Sequence, residues 1–545
     1  MEESLSRRGF FKGAGLATLG LAGAGALASC SPAQGNEPST AIPSTGENTT
    51  RWSWDNPPVA ISEEDISRSI ECELLIIGAG AAGVSAAYYA GECGVNAVVM
   101  QKTEAIASNG WSFGAWNSPL GAENGVAWDI PWFMQKFAER YGNGRANMKL
   151  VRRVLETTGQ VGEYLRNNVT EEPVDITVVD DHIIYHWTKQ EGFANRYNGF
   201  RSLLATLGDK AVANGVEFLY STPAVYLEKS TDGAVTGAIG EGPDGYVRIT
   251  ATKGVILATG DISDDEEMLE CYCPMMCDSP TLHGNQCNTG DGHKMGLWVG
   301  AGMDKAPFSM MLHFDPSCLS SVAPPFAAIP WLRVNKNAQR FTNENIDYQS
   351  MGTAVQLQPD HMAFQIIDSH YMDHVFDYTN GGRTTKMTPE DWQKQVDAGS
   401  ILEASTIEEL AEKAGLPKEA LVDTVSRYNE LVDKGIDEDF GMASEFFVFN
   451  GIKDAPFYAI PRQPAKLATC GGLTCNDELK VMSTEGKPIE GLYAAGNVQG
   501  SFFGYDYPVN NFGGFSISRA ITGGFLAVQS ATGTLGEEIY PVDLP

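Results

Sequence analysis

The feature that most constrains this chain is a glycine pattern set between an apolar run and a helix. Glu73-Leu74-Leu75-Ile76-Ile77 has the length and composition of a buried strand, and Gly78-Ala79-Gly80-Ala81-Ala82-Gly83 follows it directly. Val84 to Gly91 then reads as a helix, and Asn96 to Met100 as a second strand. Strand, GxGxxG turn and helix in that order open a parallel α/β unit that binds a dinucleotide. The glycines permit close backbone approach, and the helix N-terminus receives the pyrophosphate. The position that usually carries a ribose-binding acid, eighteen residues past Gly83, is Gln101. Its amide bonds a ribose hydroxyl more weakly than a carboxylate would.

The rest of the composition removes whole classes of partner. Against 38 Lys and Arg stand 69 Asp and Glu, a net charge of −31. That balance excludes nucleic acid, whose phosphates require a basic face, and disfavours an anionic membrane surface. Ten cysteines in 545 residues are too few for a disulfide scaffold. The length allows two to four domains, or one large domain with an insertion.

The first thirty residues read as an address. Ser6-Arg7-Arg8-Gly9-Phe10-Phe11-Lys12 leads into an uncharged run from Gly13 to Ala28, too short and too weakly apolar for a membrane span. The paired arginines before Phe10 resemble a twin-arginine export signal, which moves proteins already folded. Leu27-Ala28-Ser29-Cys30 resembles a lipobox, with Cys30 as the lipid-bearing first residue of the mature chain. Residues 31–50 are rich in Ser, Thr, Pro, Gly and Asn and form the first half of a tether, 31–70, before the first strand.

Two later segments repeat the pattern of a buried strand entering a glycine turn. They are Gly254-Val255-Ile256-Leu257-Ala258-Thr259-Gly260 and Gly491-Leu492-Tyr493-Ala494-Ala495-Gly496-Asn497. With Asn288-Thr289-Gly290-Asp291-Gly292, Arg340-Phe341-Thr342-Asn343-Glu344, Cys470-Gly471-Gly472-Leu473 and Asn511-Phe512-Gly513-Gly514, the chain resembles a flavoprotein superfamily. Its members include fumarate reductase, succinate dehydrogenase and 3-ketosteroid dehydrogenase. The resemblance runs from about Glu71 to Ala527. It implies an α/β fold with a Rossmann-like FAD-binding domain built from both ends of the chain, 71–307 and 467–545. An inserted α+β capping domain, 308–466, closes over the flavin. It also implies non-covalent FAD held by Gly78, Gly80, Ala82, Gly83, Gln101, Lys102, Asn109, Gly110, Ser112, Ala224, Val225, Thr259, Gly260, Asp291, Gly496, Asn497, Ser516 and Ile517.

The active-site positions separate the branches of that superfamily. Its fumarate reductases grip two carboxylates with cations, and those cations are missing here. Ala468 stands for the histidine of His-Thr-x-Gly-Gly, Asn511 for the arginine of Asn-Arg-x-Gly-Gly, and Asn345-Ile346-Asp347-Tyr348 follows Glu344 where an arginine is expected. His313 stands near another family histidine, although Met311 fits its spacing better. A dicarboxylate would therefore be buried without partners. Tyrosines occupy the site instead. Arg340 to Tyr348 resembles the ketosteroid dehydrogenase segment that carries a proton-transferring tyrosine. Tyr507-Pro508-Val509-Asn510-Asn511 resembles its Tyr-Pro-x-x-Gly, whose hydroxyl and backbone N–H polarise a ketone. The resemblance assigns proton transfer to Tyr348 and carbonyl polarisation to Tyr507 and the Asn511 N–H. Glu344 is a further catalytic candidate, to be considered as the acid with His313 and His370 if Tyr348 is only a packed aromatic. A tyrosine is neutral near pH 7 and donates without a counter-charge, which suits an enone.

Cys271, Cys273, Cys277 and Cys287 fall within seventeen residues, but their spacing matches no ferredoxin pattern. Reduced thiols are expected in preference to an iron–sulfur cluster or zinc, and a disulfide between Cys470 and Cys475 stays open. No Cys-x-x-Cys-His motif for covalent haem occurs.

The expectation is an exported, lipid-anchored FAD enzyme. It reduces a carbon–carbon double bond beside a carbonyl, in an enone or enoate, with electrons from an external donor such as a membrane cytochrome. Trp111, Trp116, Phe502, Phe503 and Phe512 suggest an aromatic or polycyclic substrate, if they are not core. The alternatives are the reverse dehydrogenation, fumarate reduction, and a flavin electron carrier without organic substrate.

Overall fold

The computed structural model describes residues 51–541, apart from 170–172, 180, 190–192, 283–286, 314–326, 328, 372–387, 448–449 and 509–511, and only the backbone of 193–194. The Arg7-Arg8 signal, Cys30, residues 31–50 of the tether and Asn511 thus lie outside the described residues.

The glycine turn is the hinge of a six-stranded sheet. Its strand order is Lys480–Met482, Pro488–Ala494, Val255–Leu257, Leu74–Ile77, Ala97–Met100, Glu217–Leu219. All neighbours are parallel except the first pair. Leu74 to Ile77, Ala97 to Met100 and Val255 to Leu257 are buried throughout. This is why they read as unbroken apolar runs, as strands covered on both faces must. The chain runs outward from Leu74–Ile77 on one side and places Val255–Leu257 on the other. The strand order therefore reverses between those two, and at that switch point the carboxyl ends open a crevice.

Two helices seal the crevice from one side. Ala81–Glu92 follows the glycine turn, and Phe515–Thr532 packs across it. Their approach is set by small residues: a side chain on Gly524 would come within 2.4 Å of the Ala82 carbonyl oxygen. Ser85 Oγ donates to both the Ala81 and the Ile521 carbonyl oxygens. A four-stranded sheet, Ile66–Cys72, Gly245–Ala251, Val235–Gly242, Ala224–Lys229, lies beside the first.

Residues from Trp52 to Pro545 form one compact unit with more than one core. The segment 332–459 buries its own apolar cluster, from Leu332 to Ala459. It is built on the sheet Arg333–Asn335, Ala363–Ile367, Phe457–Arg462, Leu402–Ala404 and the helices Ile407–Ala414 and Lys418–Lys434. A two-stranded antiparallel ribbon, Met310–His313 with Ala465–Thr469, stands where the chain enters and leaves that segment. Among the described residues no helix is long and apolar enough to cross a membrane.

Candidate active site

The crevice is an open cleft along the carboxyl ends of the parallel strands. Its wall is formed by Ile77 to Ala82 and Ala258 to Asp261, by Met100 to Thr103 with Pro223-Ala224, and by Asn497, Ser516, Ile517 and Ala520. Gly78 has φ +103°, and a Cβ there would lie 2.4 Å from the Ala258 carbonyl oxygen. The helix Ala81–Glu92 starts at Gly80 with no side-chain cap, so the N–H groups of its first turn are left for a ligand. Thr259 Oγ1, buried in the cleft wall, has no hydrogen-bond partner. An uncapped helix start, a backbone wall without side chains and an orphan hydroxyl fit a pyrophosphate-bridged dinucleotide.

The cleft wall includes Gly78, Gly80, Ala82, Gln101, Lys102, Asn109, Ala224, Thr259, Gly260, Asp291, Gly496, Asn497, Ser516 and Ile517, as the sequence implied. Gly83, Gly110, Ser112 and Val225 are not on it. A Cβ on Gly83 would sit 1.8 Å from the Gly78 carbonyl oxygen, so its work is packing the helix on the turn. Gly110 lies under the Ile517 side chain. Gln101 is already engaged: its Oε1 accepts from the Ala79 N–H at 2.9 Å, and its Nε2 donates to Thr103 and to the Ala105 carbonyl. Lys102 ties to Asp291 at 3.0 Å and Thr289 at 2.8 Å. Sequence reading missed Asp261, Cys287, Asn288 and Ala520, which also line the cleft. Ala520 follows Ser516 by one helical turn, a spacing that points to it.

The two tyrosines are buried, at 3% and 5% exposure. Tyr507 accepts a hydrogen bond from the N–H of the cleft residue Ser516 at 2.7 Å, so its hydroxyl serves the N-terminus of Phe515–Thr532. A hydroxyl that accepts in this way donates its own proton more strongly. Tyr348 opens the helix Tyr348–Gln356, which Asp347 caps. Its hydroxyl is 3.2 Å from His313 Nδ1, on the ribbon strand Met310–His313. The other end of that strand bridges at Met310 to Asp506, the residue before Tyr507. Three residues of strand, about 10 Å, thus separate the attachment points of the two tyrosine segments. No sequence signal pointed to the His313–Tyr348 pair.

The electrostatics of this region are acidic. Burial raises the Asp347 carboxyl above its usual range. Burial and then the Asp347 charge raise Asp506 likewise. The Arg140 guanidinium, 3.9 Å from Asp347, opposes the rise there, and Ala468 on the ribbon carries no charge.

Glu344, a catalytic candidate from the sequence, is instead engaged structurally: both its oxygens accept from Arg340, at 2.8 and 2.6 Å, and one also accepts from the Arg333 N–H. Arg340 bonds Asp437 as well and lies against Tyr428, Phe440 and Phe447, so Glu344 is part of a buried ion network that holds the 332–459 core. Burial pushes the Glu344 carboxyl up, and the guanidinium opposes it. Trp116, Phe502, Phe503 and Phe512 pack edge-on or tilted against Phe133, Phe137 and Phe515 as core residues do, and like Tyr348, Tyr507 and His313 they are not on the wall of the cleft. They carry no argument for an aromatic substrate. Cys470 and Cys475 are both free and buried thiols rather than a disulfide, with burial pushing Cys470 up to about 12. Of the clustered four, Cys273 is buried, Cys277 is exposed and Cys287 lines the cleft. Among the described residues no three cysteines bring their sulfurs together; the single grouping of potential ligands is Asp368, His370 and Asp454.

The chain belongs to the FAD binding domain family, whose profile matches residues 73–510. It is an FAD-dependent oxidoreductase of the class that acts on carbon–carbon double bonds. It is 27% identical over 464 residues to the vinyl phenol reductase of Lactiplantibacillus plantarum, covering 80% of this chain and 92% of that one. It is 28% identical over 439 residues to a 3-oxosteroid 1-dehydrogenase of Mycolicibacterium smegmatis, covering 72% and 71%. The solved open conformation of a flavocytochrome c3 fumarate reductase matches its fold with a TM-score of 0.65 at 24% identity, covering 90% of this chain and 83% of that one.

Proposed function

We propose that this protein reduces a carbon–carbon double bond conjugated to a carbonyl, in a substrate that is not a dicarboxylate. The observation that carries this reading is the buried Tyr348 hydroxyl at 3.2 Å from His313 Nδ1. When bound, FAD supplies hydride exchange with a substrate carbon. Gly78, Gly80 and the first turn of Ala81–Glu92 hold its pyrophosphate, and Thr259, Asn497 and Ser516 line its place. Tyr348 holds the proton for the neighbouring carbon at its hydroxyl oxygen, and His313 returns a proton to Tyr348 after each turnover. Tyr507, bonded to the Ser516 N–H, donates to the carbonyl oxygen as negative charge gathers there. The vinyl phenol reductase match supports reduction. The 3-oxosteroid 1-dehydrogenase match supports a second reading, the same groups working in reverse.

Electrons come from a separate redox carrier, because the sequence has no covalent haem motif. The Arg7-Arg8 segment and Cys30 support export and lipid anchoring. Mixing dithionite-reduced enzyme with enones and monocarboxylic enoates tests the reading. At least one is expected to reoxidise the flavin quickly, while fumarate stays below about 1 s⁻¹, the low end of enzyme turnover. Rapid reoxidation by fumarate alone would overturn it.

A further inference from the structure

Arg519 lies on the C-terminal helix, three residues past Ser516, and is fully buried. Its Nη2 donates to Asn497 Oδ1 at 2.7 Å and its Nη1 to the Gln499 carbonyl at 3.4 Å. The rings of Phe502 and Phe503 each stand 5.2 Å from its Cζ, and its buried Nε has no partner. Among the described residues no carboxylate reaches it within salt-bridge distance. Asp304 acts on it from further away, and its oxygens accept from the Ser501 and Gly472 N–H groups. A guanidinium does not give up its proton in a protein, so this is a permanent charge buried without a close counter-charge, a costly arrangement.

The charge sits behind one particular stretch of the cleft wall. The glycine turn takes the pyrophosphate, and Gln101 to Thr103 mark the adenosine end. Asn497, Ser516, Ile517 and Ala520 therefore wall the end that receives the flavin ring. Asn497 is held between two charges: its Oδ1 accepts from Arg519 while its Nδ2 donates to Asp261 at 3.3 Å.

We propose that Arg519 is the standing counter-charge for reduced flavin. Oxidised flavin that takes up two electrons and one proton becomes singly negative, and a second proton makes it neutral. A fixed cation one residue behind the wall favours the negative form and draws the couple toward reduction. The start of the same helix acts in the same direction, so Arg519 supplies part of the field. This inference rests on FAD binding in the cleft and is independent of the tyrosines and of the substrate.

Equilibration of the holoenzyme with redox dyes and dithionite tests it. One proton per two electrons gives a slope of about 30 mV per pH unit in the wild type, and two protons give about 59 mV. The lower slope is expected from pH 8 down to pH 6. Arg519→Met is expected to lower the ratio of reduced to oxidised flavin at a fixed potential at least tenfold, about 30 mV. Arg519→Lys, which keeps the charge, is expected to recover most of that. A wild-type slope near 59 mV overturns the proposal. So does an unchanged potential in Arg519→Met with full FAD. If Arg519→Met does not retain FAD, Arg519→Gln and the wild-type slope decide. Loss of fumarate discrimination or of tyrosine dependence would overturn the functional reading and leave these potentials unaffected.

Discussion

At the scale of single residues, the site is organised by what each polar atom touches. Tyr507 touches a helix start, Tyr348 a histidine, and Glu344 an arginine, and these contacts assign three different kinds of work. Tyr507→Phe removes both the acceptor for Ser516 N–H and the donor to the carbonyl. Turnover is expected to fall about 10²–10³-fold, the usual cost of one such donor, and steady-state assays with the best enone would show it. Glu344→Gln gives the opposite signature. Breaking a buried ion pair costs about 3–5 kcal/mol, and Asp437 remains on Arg340, so a loss near 3 kcal/mol is expected by thermal melting. Turnover with full FAD stays near wild type. Legibility at this scale was uneven. Tyr348 and Tyr507 were readable as candidates because their segments resemble those of ketosteroid dehydrogenases, while their roles rest on the proposed function. His313 and Arg519 were not, because their meaning lies in contacts that span 35 and 22 positions of sequence. Glu344 was misread because a carboxylate four residues from an arginine looks the same in sequence whether it reacts or anchors.

At the scale of elements, the three central parallel strands were legible to within a residue. Pro488–Ala494, by contrast, begins three residues before the run read from sequence, and the edge strand Glu217–Leu219 was not read at all. Strands buried on both faces leave unbroken apolar runs, and the turns between them need glycine. The helix Ala81–Glu92 begins three residues before the expected Val84, because its first turn is the glycine motif itself. The aromatic cluster was less legible, since rings that pack on each other have the same spacing as rings that line a pocket. The start of the C-terminal helix is the element most exposed to damage. Gly514 has φ +76°, and a Cβ there would meet the Gly114 N at 2.4 Å. Gly514→Ala is expected to cost at least the about 1–3 kcal/mol of a strained left-handed residue. It should also displace Ser516 from Tyr507, so FAD absorbance and activity should both fall, in contrast to Glu344→Gln.

At the scale of the whole molecule, acid stability follows from two histidines buried neutral. Burial, aided by the Arg196 charge, brings His186 down to about 3. Burial likewise brings His293 down to about 4. Unfolded, each protonates near 6.5. The unfolded chain therefore binds two more protons below that value, and stability falls with pH. The contribution is complete above about pH 6.5 and declines by about 2.7 kcal/mol per pH unit as pH drops toward 4. Asp437 adds a later loss. Burial raises it, but the Arg340 guanidinium and the Met442 and Phe440 N–H groups bring it to about 2, so its share goes as pH falls from about 4 through 2. Melting midpoints from pH 8 to 4 are expected to begin falling near 6.5, and a flat profile to pH 5 would contradict the neutral histidines.

The central claim is that a neutral tyrosine, rather than a cation, delivers the proton to the substrate carbon. The most direct measurement is rapid mixing of Tyr348→Phe in its two half-reactions, with FAD content matched to wild type. Reduction of the flavin by an artificial donor needs no tyrosine and is expected to proceed at the wild-type rate. Reoxidation by the best enone is expected to slow by about 10²–10⁴-fold, the range for loss of a general acid. Reoxidation at the wild-type rate would contradict the account, because it would leave Tyr348 as a packed aromatic ring beside His313.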